Sequence, residues 1–132
     1  MIGIVVVSHA GLADALIEAA ELIIGPLAAV AAVCIDRDMD IDAAKNKVQQ
    51  AVASVGKDGA GVLILTDLFG GTPTNLSAEF LQPDAVEILT GVNLPMLIKG
   101  AGARSQHDLD GLTSLLKEYG GHAIMRPADL LR

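Results

Sequence analysis

A chain of 132 residues, 52% apolar and 19% charged, is long enough for one domain with its own core and too apolar to stay disordered. Nine Lys and Arg against sixteen Asp and Glu leave a net charge of -7, which argues against a phosphate backbone as partner. The aromatics, Phe69, Phe80 and Tyr119, leave little material for stacking on bases.

The run "IGIVVVS" is a continuous β-branched stretch, as expected of a strand covered on both faces. It ends in Ser8, His9, Ala10 and Gly11. From Gly11 the period becomes helical, with Leu12, Leu16, Ala20, Ile23, Ile24 and Leu27 on one face and Gly25-Pro26 as the stop. "AVAAVCI" reads as a second strand. Cys34 within it is alone, so an internal disulfide is excluded and a small core residue is expected. The turn that follows, with Asp36, Arg37, Asp38, Asp40 and Asp42, reads as a solvated loop. Asp40 is a candidate N-cap for a helix whose inner face carries Ile41, Ala44, Val48, Val52 and Val55, with Gly56 as its stop.

"GVLILT" is a third buried strand, followed by "DLFGG". Thr72 is then expected as N-cap and Pro73 as the first residue of a helix that faces the core through Leu76 and Phe80. "AVEILT" is a fourth strand, and "GVNLPMLIKGAGA" a turn into a short helix. Leu109, Leu112, Leu116 and Tyr119 mark a last helix that Gly120-Gly121 should end, before a short strand in "HAIM".

This alternation implies an α/β fold, a mostly parallel sheet with helices on both faces. Ligands of such sheets bind beyond the carboxyl ends of the strands, at the point where strand order reverses. With the order 2-1-3-4, strands one and three are neighbours about 4.8 Å apart. His9 and Asp67 would then meet at that crevice.

A carboxylate that accepts one ring N–H of a neutral histidine fixes the tautomer and aims the other nitrogen outward, as base, metal ligand or nucleophile. Gly70 and Gly71 let backbone approach an anion closely, and the helix start beyond them adds N–H groups. Thr72, Ser8 and the Gly11 backbone are further candidates for contacts to phosphoryl oxygens. A nucleophilic histidine beside such a cradle points to phosphoryl transfer through a phosphohistidine. His107 and His122 read as structural, and the histidines lack a close metal-ligand spacing. No GxGxxG follows the first strand, and neither GxxxxGK[ST] nor a GxSxG elbow is present, which argues against dinucleotide, Walker-type and α/β-hydrolase sites.

The stretches "IVVVSHAGLADAL", "GVLILTDLFGGTPTN" and "EILTGVNLPML", in that order and spacing, resemble the IIA domains of the mannose family of the bacterial phosphoenolpyruvate:sugar phosphotransferase system. The resemblance covers nearly the whole chain, 1–132, as a single carrier domain. It implies that His9 accepts a phosphoryl group from phospho-HPr on Nε2 and passes it to a IIB component. It also implies that Asp67 holds Nδ1 and that Gly70, Gly71 and Thr72 line the phosphoryl site, with no cofactor or metal.

The resemblance further implies a homodimer in which the last strand, here His122 to Arg126, is exchanged between subunits. The chain stops at Arg132 with neither linker nor IIB domain, so a free-standing IIA protein is expected. With no leader and no apolar run near the roughly 20 residues of a membrane span, its expected location is cytoplasmic, without direct membrane insertion. The glycine-rich "KGAGARSQHDLD" matches no feature of the family. Alternatives are the phosphotransfer subunit of dihydroxyacetone kinase, against which DLFGGTP argues, a regulatory module read out by its phosphorylation state, and a His–Asp hydrolase.

Overall fold

The computed structural model describes residues 1–131. Its centre is the strand β1, Gly3–His9, which pairs in parallel with β2, Val30–Ile35, on one side and β3, Val62–Thr66, on the other. β4, Val86–Thr90, extends the sheet from β3, so the order is 2-1-3-4 and every pairing is parallel. The helices between them are α1, Leu12–Ile24; α2, Ile41–Val55; α3, Thr72–Ala78; α4, Leu94–Ala103; and α5, Leu109–His122. Single 3-10 turns cover Arg104–Gln106 and Pro127–Leu131.

The period of two along a strand sends alternate side chains to opposite faces. Ile4 and Val6 of β1 join Leu63, Leu65, Leu97, Leu112 and Leu116 in a core beneath α1, α4 and α5. Val5 and Val7 join Ile64, Ala44, Val48, Val55 and Leu76 beneath α2 and α3. Both faces of β1 are therefore covered, which is why its sequence is a run of branched apolar residues rather than an alternation.

Several expected boundaries shift. Asp40 does cap α2, its carboxylate accepting the Ala43 N–H at 3.1 Å. The cap of α3 is Gly71, not Thr72, so Thr72 opens the helix and Pro73 follows it. On α1 the core side is Ala13, Leu16, Ile17 and Ala20, whereas Leu12, Ile23 and Ile24 are exposed. Two small alanines let this helix lie close to the sheet, and the bulkier residues are displaced outward.

Gly120 and Gly121 do not end α5, and the strand expected at His122–Arg126 is not formed within the chain. His122 closes the helix and Ala123–Arg126 have no regular structure. The physical reason lies in packing. Gly120 is buried, and a Cβ there would stand 2.6 Å from the Met96 Cε atom. The glycine allows α5 to lie against α4 and has no stop function.

Candidate functional site

β1 and β3 deliver His9 and Asp67 to the same carboxyl edge of the sheet. One carboxylate oxygen, Asp67 Oδ2, accepts two hydrogen bonds from His9: the backbone N–H at 2.8 Å and the ring Nδ1–H at 2.9 Å. The backbone contact fixes the position of the histidine and the ring contact fixes its orientation and tautomer. The Asp67 side chain is only 10% exposed, against 49% for His9. The aspartate is thus a buried support and the imidazole a presented group, with Nε2 free. The other carboxylate oxygen, Oδ1, is buried without a partner among the described residues.

The loop between β3 and α3 closes the site from one side. Gly70 has φ +88°, a conformation that favours glycine. Gly71 lies against the imidazole itself. A Cβ on it would stand 2.7 Å from His9 Cε1 and 3.3 Å from Nε2. Thr74 holds this loop in place, a role absent from the sequence reading. Its hydroxyl donates to the Leu68 carbonyl at 2.6 Å and lies 2.7 Å from the Thr66 hydroxyl. The spacing TxxxxxxxT had no pattern by which to be found.

The remaining expected site residues divide. Thr72 is exposed and, with His9, lines a cavity of about 560 Å³. The floor of this cavity is apolar, from Ile35, Met39 and Leu76, and Arg37 borders it. Gly11 is exposed as the residue before α1, with open space on its side-chain position. Ser8 is not brought into the cleft as a free hydroxyl. It is fully buried, accepts the Ala13 N–H at 2.7 Å and contacts the Ala10 carbonyl at 3.3 Å. These bonds anchor the first turn of α1 just beyond His9. Ala10 between them has φ +50°, a left-handed conformation unusual for a residue with a side chain.

Cys34 pairs in register with Ser8 and does not line the cavity beside His9. Its Sγ is 3.4 Å from Asp14 Oδ2, and burial pushes the thiol above its ordinary range. A thiol so placed is a poor nucleophile at neutral pH. Among the described residues no group of three or more His, Cys, Asp or Glu is arranged to hold a metal ion. No helix among them is long and apolar enough to cross a membrane.

The α/β sheet thus presents a carboxylate-held histidine at its order-reversal point, against Gly71, with Nε2 as an available nucleophile or base. The family model EIIA-man, described as "PTS system fructose IIA component", matches residues 3–116, and the chain belongs to this phosphotransferase-system family of the mannose type. The fructose-specific EIIA component of Bacillus subtilis is 32% identical over 118 residues, 89% of this chain and 80% of that protein. The sorbose-specific EIIA component of Lacticaseibacillus casei is 35% identical over 114 residues, 86% of this chain and 81% of that one. Among solved structures, the phosphotransferase system component EIIA from Streptococcus agalactiae superposes with a TM-score of 0.83 at 28% identity, covering 98% of this chain and 99% of that one.

Proposed function

We propose that this chain is a phosphoryl carrier, in which His9 Nε2 takes a phosphoryl group from phospho-HPr and passes it to a IIB component of a sugar phosphotransferase system. The observation that carries this reading is the double contact from Asp67 Oδ2 to the His9 backbone and ring. It leaves a lone pair on Nε2 at the exposed side of the ring. The Nε2 lone pair attacks phosphorus, the donor's N–P bond breaks, and the Nδ1–H stays beside the carboxylate. Asp67 then faces the positive charge that phosphorylation places on the imidazole. The second transfer runs the same step in reverse toward the acceptor.

Gly71 gives the incoming group room beside Nε2, Gly70 shapes the turn, and Thr72 offers a hydroxyl from the cavity wall. Gly11 leaves the approach open, and Ser8 holds the turn that presents His9. In this reading residues 1–132 act as one carrier domain in the cytoplasm, without cofactor. They pair into a homodimer through the segment after α5.

Incubation with phosphoenolpyruvate, enzyme I and HPr should give acid-labile, base-stable phosphorylation, mapped by mass spectrometry to His9. Equal labelling of a His9→Ala variant overturns the assignment.

A further inference from the structure

The cavity beside His9 contains a cation that the carrier reading leaves without a task. β2 runs parallel to β1 with Ile35 in register with His9, and the Ala10 N–H donates to the Ile35 carbonyl at 3.0 Å. This pairing brings the start of the β2–α2 loop alongside the histidine. Arg37, two residues beyond Ile35, lines the same cavity as His9 and Thr72, and among the described residues no other Lys or Arg does. It is exposed and flanked by Asp36 and Asp38, yet it makes no ion pair among the described residues.

A phosphoryl group bound to an imidazole nitrogen brings close to two negative charges into this cleft. The fixed charges already there are mostly of the same sign: Asp67 behind the ring and Asp36 on the cavity wall. A guanidinium suits phosphoryl oxygens because its planar N–H groups can bond two of them at once. In a transfer with little covalent assistance from the protein, charge neutralisation and positioning supply most of the rate.

The geometry points to Arg37 as a catalytic residue of the phosphoryl transfer, its guanidinium contacting the phosphoryl oxygens while the group moves between the partner's nitrogen and His9 Nε2. This rests on the phosphohistidine reading above. One N–P bond forms as the other breaks. The Nε2 lone pair makes the new bond and the donor nitrogen keeps the electrons of the old one. Arg37 exchanges no proton. Its position in a loop, rather than on the sheet, lets the side chain follow the phosphoryl group during docking.

The test compares wild type, Arg37→Gln and Arg37→Lys of the full chain with two donors, phospho-HPr and potassium phosphoramidate. Rapid-quench labelling should be roughly ten- to a hundredfold slower for Arg37→Gln with both donors, and partly restored by Arg37→Lys, with unchanged thermal melts. A loss confined to phospho-HPr would make Arg37 a partner-docking residue and overturn the proposal. Equal rates for wild type and Arg37→Gln with both donors would also overturn it, while leaving the carrier reading intact. Absence of label on wild type from both donors would instead remove the carrier reading and this inference together.

Discussion

His9 is held at two points by a single oxygen, and that economy shapes what substitutions should do. Asp67→Ala removes both bonds, so the ring loses its fixed tautomer and its aim. It also removes Oδ1, which is buried and accepts from no described residue, so little stabilisation is lost there. The variant should therefore stay folded, with transfer to His9 slowed by about a hundredfold, the scale on which a misplaced reacting group loses rate. Rapid-quench labelling and a thermal melt read the two effects separately. Unchanged transfer kinetics would remove Asp67 from the mechanism.

Gly71→Ala attacks the same geometry from the opposite side. Gly71 has φ -85° and ψ 171°, values open to any residue, so alanine adds no backbone strain. Its Cβ would meet His9 Cε1 at 2.7 Å, and the ring must turn away. Transfer should fall by about tenfold or more with little change in stability. The proximity of His9 and Asp67 was legible once the strand order was assumed. The use of the Ser8 hydroxyl was not, because residue type does not say whether a backbone N–H will claim the oxygen first.

At the level of elements, the glycine-rich stretch before α5 acquires a structural purpose. Arg104 follows α4, is only 5% exposed, and donates to the carbonyls of Ile2, Ala28 and Ala29. It thereby ties the end of α4 to the starts of β1 and β2. Among the described residues no carboxylate answers its charge, and burial pushes the guanidinium below its ordinary range. The three carbonyl dipoles supply part of the compensation, and Nε has no partner among the described residues. Arg104→Met should cost about 2–4 kcal/mol, because carbonyls in the interior lose their donors. Denaturant unfolding measures the cost. His9 lies at the other end of β1, roughly 20 Å away at 3.3 Å per residue, so labelling of the folded variant should remain normal. Loss of activity without loss of stability would contradict this division of roles. Strands β1 and β3 were readable because both faces are covered, which leaves an unbroken apolar run. Helix ends were less so: Gly120 serves packing, and a glycine needed for contact looks in sequence like a glycine needed for a stop.

For the whole molecule, the distribution of exposed apolar side chains bears on assembly. Ile124 is 83% exposed, Met125 68%, Leu130 72% and Leu131 88%, all within the segment after α5. β4 forms an edge of the sheet, paired on one side with β3; on the other side Gln82 bridges Val86 and the Glu87 carboxylate takes the Ile88 N–H, and among the described residues no strand pairs with the remainder. An open edge presents unpaired N–H and C=O groups that accept an added strand. The sequence "HAIMR" carries strand character that α5 overrides only as far as His122. Pairing of this segment with the β4 edge of a second copy would bury both features at once. The full chain should then sediment as a dimer at micromolar concentration, and a chain ended after Ala123 as a monomer. Both should still take the phosphoryl group on His9, since the site is built from β1, β3 and the loops around them. A full chain that sediments as a monomer at that concentration would leave the β4 edge without this partner and remove the exchanged strand from the assembly.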